Sequence, residues 1–348
     1  MRGFLSFLCL ATLLLAGCGR EPAPIRQESF VFGTRVEVLI YGVPEAQGNA
    51  AAAEVLREFD RLHRAYHAWQ PSELTALNDA IARGQPHPVS AELAGLIHDA
   101  QAIAAQGDYL FDPGIGRMIA LWGFQSDEFK AVLPDPEQVG ALLAAHPSIA
   151  DLRIEGNRVT SKSRLVALDF GGYLKGVALD RAAALLKARG IANALVNIGG
   201  NVIALGAKGG QPWRVGIQHP RSSEVGNAPL ATLDLRDGEA IGTSGDYQRY
   251  FELAGHRYCH LLDPRGGAPA QGTQAVTLLI PPGAQAGMRS DADSKPLFIV
   301  GADWPRMARR LGVSQALRID ADGTLFVTAA LRDRLKMESP ATRIVVVQ

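Results

Sequence analysis

Apolar residues recur at helical spacing through much of the first half of the chain and gather into short β-rich runs in the second half. Helices are therefore predicted over 46–65, 90–106, 134–146, 175–189 and 304–311. Strands are predicted over 31–41, 154–160, 164–170, 194–198, 202–206, 213–217, 231–235, 239–243, 249–252, 275–280, 297–300 and 324–327. Because most helices precede most strands, the pattern favours an α+β fold over a doubly wound sheet.

The segment 168–180 carries the most informative local pattern, an expected strand end followed by a glycine pair, a lysine and an amphipathic helix. Glycines at 171 and 172 allow the backbone to approach a ligand closely. The helix that follows would direct its free N–H groups and its positive dipole end at the same turn. With Lys175 adding a cation there, the segment predicts binding of a phosphorylated ligand.

Each of three further segments has both a functional and a structural interpretation, and the local sequence does not decide between the two. The glycine pair 199–200 suits a ligand contact or a tight hairpin, and the run 243–247 suits a phosphate cup or a simple turn. His260, before an Asp-Pro turn, is a candidate catalyst, although a lone histidine is more often a satisfied polar residue. Together these segments extend the phosphate-site hypothesis without establishing it.

Two carboxylates and two hydroxyls lie within the five residues 290–294. Such a density of hard oxygen ligands suits Mg²⁺. It suits a solvated helix N-cap about equally well. The segment is therefore a candidate metal site with an open alternative.

The N-terminus is typical of a bacterial lipoprotein signal. A basic start and an apolar run over 4–15, too short to span a bilayer, precede Leu-Ala-Gly-Cys at 15–18. We expect a signal over 1–17, lipidation of Cys18, a tether over 18–28 and one large domain over 29–348. The expected location is the bacterial cell envelope, lipid-anchored and facing the periplasm. An uncleaved anchor, or a plain signal with a chance cysteine, is the alternative.

Composition narrows the class of protein further. The chain has 3 cysteines, and Cys259 would be alone after processing, so an intramolecular disulfide is not expected. With 35 basic and 35 acidic residues, the chain has no charge excess that would indicate a nucleic-acid partner. A hydrophobic fraction of 47% supports a large core instead of covalent cross-links.

The order of these motifs resembles the ApbE family from about residue 29 to residue 301. The segments that carry the resemblance are Phe32-Gly33-Thr34, 69–74, 107–114, 121–124, 169–176, 197–200, 243–251 and 260–265. The most specific are Asp-Phe-Gly-Gly-Tyr-Leu-Lys-Gly at 169–176 and Thr-Ser-Gly-Asp-Tyr at 243–247. The resemblance implies one domain of two intimate lobes with FAD between them. It also implies an FAD:protein FMN transferase that uses Mg²⁺ and releases AMP.

The resemblance further implies roles for individual residues. Contacts to FAD are expected from Phe32, Trp69, Leu110, Phe111, Asp112, Asp169, Lys175, Asn197, Gly199, Gly200, Thr243, Ser244, Gly245 and Leu262. Metal ligation is expected from the Gly172 carbonyl and Asp291, with Ser294 and Lys295 at the remaining ligand position. His260, Asp291 and Lys175 are the expected catalytic residues. The implied acceptor is an exported or membrane flavoprotein with a Thr or Ser site, such as a subunit of an electron-transport complex or respiratory reductase.

Lys295 departs from the family pattern, which usually has a threonine ligand at this position. A protonated ammonium cannot ligate a cation and repels Mg²⁺. Lys295 could replace part of the metal's charge, could point away with Ser294 or Asp293 completing a shifted site, or could mark a member that binds FAD without efficient transfer. Two alternative functions remain beside the transferase: an FAD carrier or accessory lipoprotein, and hydrolysis of FAD to FMN and AMP.

Overall fold

The computed structural model describes residues 23–221, 229–338 and 343–347. The predicted lipoprotein signal and Cys18 lie outside the described residues. Within those ranges, no helix is both long enough and apolar enough to cross a membrane.

Most predicted helices are present within a few residues of their expected limits. The helices in the described ranges are α1 (Glu45–Ala65), α2 (Glu73–Arg83), α3 (Ala91–Gln106), α4 (Gly116–Leu121), α5 (Pro136–Ala145), α6 (Leu174–Ala188), α7 (Ala286–Ala292), α8 (Ser294–Ile299), α9 (Trp304–Arg310) and α10 (Ala329–Arg332), with 3₁₀ turns at Ile149–Asp151 and Gly301–Asp303. Local chemistry accounts for several ends: the side chain of Ser90 caps α3, and that of Asp135 caps α5 ahead of a proline at its first turn.

The strands form one large sheet and four small ones. They are β1 (Ile25–Val31), β2 (Thr34–Tyr41), β3 (His87–Pro88), β4 (Leu152–Glu155), β5 (Arg158–Ser161), β6 (Asn193–Ile198), β7 (Asn201–Leu205), β8 (Trp213–Ile217), β9 (Ala231–Leu235), β10 (Ala240–Gly245), β11 (Tyr250–Leu253), β12 (His256–Cys259), β13 (Leu262–Asp263), β14 (Ala268–Pro269), β15 (Thr273–Ile280), β16 (Ala316–Asp320), β17 (Leu325–Thr328), β18 (Lys336–Met337) and β19 (Ile344–Val347). The large sheet has the order β1-β2-β6-β7-β10-β15-β16-β17-β19, antiparallel except between β17 and β19.

The central strands of the large sheet are buried on both faces, whereas the edge strands β1 and β19 are partly exposed. Helices α1, α6 and α7 pack against one face, and the main hydrophobic core lies between them and strands such as β2, β6 and β15. The small sheet β18-β9-β8 contributes to a second core against the other face. A third, mostly aromatic cluster, built from Met118, Trp122, Phe124, Phe251 and Leu262, lies around α4 and β11. The predicted α+β class is confirmed.

Several local predictions were wrong or only partly correct. Residues 164–170 do not form a strand; the partner of β4 is β5, joined to it through the turn at Gly156-Asn157. The predicted strand over 297–300 falls largely in α8, because a short apolar run fits a buried helix as well as a strand. Residues 31–41 are the turn and second strand of a hairpin. Its first strand begins at Ile25, inside the segment 18–28 that was expected to be a tether.

Candidate active site

A cavity of about 680 Å³ lies where the hairpin turns of the large sheet face the aromatic cluster, and its volume is within the range of about 300–1,000 Å³ typical of cofactor sites. Most residues that the sequence predicted for the site line this cavity: Phe32, Trp69, Leu110, Phe111, Asp112, Asp169, Gly172, Lys175, Gly199, Thr243, Ser244, Gly245, His260, Leu262 and Lys295. These residues come from segments more than two hundred positions apart. The fold therefore gathers motifs that are weak individually.

Four predicted residues do not line the cavity. Asn197 and Gly200 belong to the β6–β7 hairpin, where the Asn197 side chain accepts a hydrogen bond from the Gly200 N–H at 2.9 Å. The tight-hairpin interpretation of the glycine pair is thus correct, although Gly199 also borders the cavity. Asp291 and Ser294 lie behind the cavity wall and are almost inaccessible to solvent. Direct contact of these four residues with a ligand stays a prediction.

The turn before α6 is held by the side chain of Asp169. Its Oδ1 accepts a hydrogen bond from the Gly171 N–H at 2.8 Å, and its Oδ2 accepts one from the Gln125 side chain at 2.9 Å. Residues 168–170 form no strand, so the expected strand end is absent, but the helix begins at Leu174 as the pattern required. Gly172 is needed for a close approach, because a Cβ there would lie 3.2 Å from Cε of Lys295.

Helices α6 and α7 cross at a pair of glycines. A Cβ on Gly176 would lie 2.5 Å from the carbonyl oxygen of Gly287, and a Cβ on Gly287 would lie 2.7 Å from the carbonyl oxygen of Gly176. This close crossing brings Asp291, on α7, to the first turn of α6, where its Oδ2 accepts the Gly176 N–H at 3.0 Å. An acidic side chain at a helix N-terminus is electrostatically favourable.

Lys295 lies on the other carboxylate oxygen of Asp291. Its ammonium donates to Asp291 Oδ1 and, at 2.7 Å, to the main-chain oxygen of Asp291. Only 7% of Lys295 is exposed, so this is a buried ion pair at the wall of the cavity. Burial lowers the pKa of Lys295, and the carboxylate of Asp291 opposes that shift.

The remaining residues of 290–294 are committed to helix packing. Ser294 Oγ donates to the main-chain oxygen of Asp291 at 2.6 Å and lies 2.7 Å from Ser244 Oγ. The Asp293 side chain accepts from Arg289 at 3.0 Å. The solvated N-cap interpretation is therefore wrong, because the segment is buried in α7 and α8. Lys295 lines the cavity, and a metal site shifted to Ser294 or Asp293 stays a prediction that these contacts do not favour.

These contacts do not fit the Mg²⁺ site that the resemblance implies. One oxygen of the Asp291 carboxylate is bound by an ammonium group and the other by a backbone N–H. In the part of the chain that the structure describes, no three His, Cys, Asp or Glu side chains are grouped so as to hold a metal ion. A divalent cation at Asp291 would have to displace Lys295, whose positive charge already neutralises the carboxylate.

His260 is held in one tautomer by the backbone. Its Nδ1 lies 3.2 Å from the carbonyl oxygen of Arg249, and since a carbonyl can only accept, Nδ1 carries the proton in the neutral ring. Nε2 is then unprotonated and can act as a base. Burial, helped by the positive charges of Arg249, Lys175 and Lys295, lowers the pKa of His260 to about 3. The imidazole is therefore neutral across the physiological pH range.

Arg249 is a candidate residue to which the sequence analysis gave no role. One of its Nη atoms donates to the Phe124 carbonyl at 2.8 Å, and its guanidinium lies 5.2 Å from the centre of the Phe129 ring. Its Nε is buried and has no hydrogen-bond partner among the described residues. The sequence signal that could have identified it is a charged residue directly before two aromatic ones, Arg-Tyr-Phe at 249–251.

Two histidines also line the cavity without having been predicted. His63 lies in the last turn of α1 and His67 just after the end of that helix; their ring centroids are 4.9 Å from each other, and burial lowers the pKa of both. They were not predicted from the sequence, because the spacing of His63 fits the apolar face of α1. Their position beside Phe32 and Trp69 makes this end of the cavity aromatic.

Residues 32–317 match the ApbE family. The chain belongs to the ApbE family. It is 43% identical over 331 residues to the FAD:protein FMN transferase of Rhodobacter capsulatus, covering 94% of this chain and 62% of that protein. The chain thus spans less than two thirds of the length of that relative. It is 30% identical over 332 residues to the FAD:protein FMN transferase of Klebsiella pneumoniae strain 342, covering 92% of each chain.

The fold matches a solved member of the same ApbE family. The crystal structure of the ApbE protein of Thermotoga maritima superposes with a TM-score of 0.79 at 28% sequence identity, covering 89% of this chain and 99% of that one. Sequence and fold thus give the same assignment to the family.

Proposed function

We propose that this protein transfers the FMN half of FAD to a Thr or Ser hydroxyl of an exported or membrane flavoprotein and releases AMP. The observation that carries the proposal is the cavity of about 680 Å³, to which both of the most specific motifs, 169–176 and 243–247, contribute beside His260. The two relatives with matching sequence over most of this chain are named FAD:protein FMN transferases.

The reaction is a displacement at phosphorus. The acceptor hydroxyl oxygen forms a bond to the phosphorus of the FMN half, and the bond from that phosphorus to the bridging oxygen breaks. AMP leaves with the bridging oxygen and the electron pair. Because such transition states need positioning and charge neutralisation above all, the cations Lys175 and Arg249 on the cavity wall suit the pyrophosphate.

His260 is the proposed base. Its Nε2 takes the proton from the acceptor hydroxyl, which is a weak nucleophile until a base assists it. The low pKa keeps the imidazole in its base form, while the bond from Nδ1 to the Arg249 carbonyl fixes the ring. The resemblance also implies Mg²⁺, but the Asp291–Lys295 pair does not fit a metal ion, so no step here is assigned to one.

The proposed location is the bacterial cell envelope, with a lipid on Cys18 and the folded domain facing the periplasm. The basic start, the short apolar run and Leu-Ala-Gly-Cys at 15–18 support it. Replacing the thiol in Cys18→Ser should abolish labelling by radioactive palmitate and release the protein from the membrane fraction. A membrane-bound, lipid-labelled Cys18→Ser protein would contradict the anchor.

The activity is tested with the purified protein, FAD and an acceptor domain that carries a threonine site. AMP is followed by chromatography and the acceptor by mass spectrometry. An acceptor mass gain of one FMN per AMP released, lost in His260→Gln and with an acceptor whose threonine is alanine, supports the transferase. AMP without modified acceptor would indicate hydrolysis, and bound FAD without AMP would indicate a carrier.

A further inference from the structure

We propose that the ammonium group of Lys295 is a built-in cation that contacts the pyrophosphate of FAD, so that this protein binds FAD and transfers FMN without a divalent metal ion. The proposal rests on the proposed function for the identity of the nucleotide. The site is the one already described, but its cation is supplied by the chain and not by the solvent.

The hydrogen bonds of Lys295 leave one of its N–H donors available to a ligand. A lysine ammonium has three N–H donors. The structure assigns two of them to Asp291, at the carboxylate Oδ1 and the main-chain oxygen, and the side chain lines the cavity. The third donor has no partner among the described residues, so a phosphate oxygen in the cavity can accept it.

Packing holds the lysine in place, as the ligands of a metal site would hold a metal ion. The Gly172 backbone lies over the end of its stem, where a Cβ on that glycine would be 3.2 Å from Cε. Asp291 is fixed in turn by the Gly176 N–H at the start of α6. A charge that is held before the ligand arrives needs little reorganisation when negative charge develops, which is the property that makes such groups effective in catalysis.

The charges around Lys295 also oppose a metal ion. Lys295 neutralises Asp291, and Lys175 and Arg249 lie on the same cavity wall. Among the described residues neither Lys175 nor Arg249 forms an ion pair, although the charges of Asp169 and Asp127 oppose the lowering of the Arg249 pKa that burial causes. These cations match the two negative charges of a pyrophosphate, and a divalent cation beside Lys295 would be repelled by Lys175 and Arg249, although the carboxyl groups of Asp112, Asp127 and Asp169 also line the cavity.

The test compares FAD binding and FMN transfer in excess EDTA and in millimolar Mg²⁺, using the full-length protein. FAD affinity is measured by flavin fluorescence, and metal binding by the electron paramagnetic resonance signal of added Mn²⁺. We expect the wild-type protein to bind FAD with the same affinity, within about twofold, under both conditions and to leave Mn²⁺ free. Transfer, followed as AMP and acceptor mass, should likewise persist in EDTA.

Variants then assign the effect to the lysine. In EDTA, Lys295→Thr should weaken FAD binding by about tenfold or more, the usual loss for one charge-assisted hydrogen bond. Because that variant exposes Asp291 to metal, added Mg²⁺ should recover part of the affinity and Mn²⁺ should bind. Lys187→Thr, which removes an exposed lysine at the far end of α6, should behave as wild type throughout.

Two results would overturn the proposal. One is a wild-type protein whose FAD affinity or transfer rate rises tenfold or more with Mg²⁺, and this measurement needs no variant to fold. The other is Lys295→Thr binding FAD as tightly as wild type in EDTA. Metal-independent FAD binding with no AMP from any acceptor would instead contradict the transferase and leave the role of Lys295 intact.

Discussion

The main-chain N–H of Gly176 donates a hydrogen bond to the Asp291 carboxylate over 3.0 Å, joining the first turn of α6 to the last turn of α7. The bond is possible because the two helices approach each other through Gly176 and Gly287, without side chains between them. The same carboxylate holds Lys295 at the cavity. The glycine at this helix crossing therefore helps to set the position of the Lys295 ammonium group at the cavity wall.

Gly176→Ala should destabilise the protein and weaken FAD binding together. The added Cβ would meet backbone atoms of α7, 2.5 Å from the Gly287 oxygen and 2.7 Å from Cα of Met288, so the helices must move apart. Overpacking of this kind costs about 1–3 kcal/mol of unfolding free energy. Urea unfolding measures the first effect and flavin fluorescence the second.

Gly140→Ala is the matched control, since that glycine is also helical but a Cβ added to it would meet no other atom within 4 Å. It should be neutral or stabilising by up to about 1 kcal/mol, because alanine is the better helix former. If Gly176→Ala were as stable as Gly140→Ala, the close helix crossing would not constrain the site.

Phe32→Asn should separate stability from binding. Phe32 has φ 57° and Gly33 has φ 68°, so the β1–β2 hairpin turns through two left-handed residues, a geometry that favours Asn-Gly over Phe-Gly. Holding a bulky residue there costs on the order of 1 kcal/mol. The variant should be as stable as wild type or more so by thermal unfolding, yet bind FAD more weakly because the ring borders the cavity. A clear loss of stability would show that packing of Phe32 against Phe59 outweighs the strain.

Glu92→Gln should lower stability at neutral pH and much less at acid pH. The pKa of Glu92 is lowered to about 2. The hydrogen bond from Arg61 has the largest effect, and the hydrogen bond from Tyr66 and the charge of Arg181 lower the pKa further. The pKa in the folded state is below that of the unfolded chain, so the stabilisation is present above pH 4.5 and is lost as the pH falls towards 2. Since the side chain is 25% exposed, we expect a loss of about 1–2 kcal/mol at pH 7.

Chemical unfolding of the wild type and Glu92→Gln at pH 7 and pH 3 measures this difference. Glu155→Gln, at an exposed position outside the Arg61 and Arg181 network, serves as the control and should change little at either pH. An equal loss for Glu92→Gln at both pH values would mean that shape, not charge, accounts for its contribution.

Much of the fold could be predicted because local patterns agreed with it. Helix α1 has an apolar face that includes Phe59 and Leu62, and α6 follows a glycine turn and ends just before Gly190. The strand over 297–300 was predicted wrongly because Leu297, Phe298 and Ile299 are all buried, and a segment buried on every side has no periodicity to distinguish helix from strand. This segment forms helix α8 and not a strand, and α8 packs against β15.

The site was predictable where a motif lies on the cavity wall, as for Lys175 and Ser244. Arg249, His63 and His67 were not predicted to belong to it, because only the folding of distant segments brings them to the same wall. The burial of Lys295 at the cavity could not be predicted either. A lysine four residues after Asp291 is typical of an ordinary helical ion pair, and its meaning comes from its burial at the cavity.

The pH dependence of transfer provides a test of His260. Because burial and the nearby cations hold its pKa at about 3, the ring is already a base at pH 5, so transfer should show no loss of rate near pH 6.5 from this group. Removing a positive neighbour in Arg249→Met makes protonation easier, so the pKa of His260 should rise and the acid limb of the pH–rate profile should move upward with it. Titration of the His260 ring protons by NMR in the free protein measures the same shift directly.

His260→Gln should lower the transfer rate by about 10²–10⁴ without a comparable loss of FAD affinity, whereas equal losses in both would make His260 a binding residue and not the base.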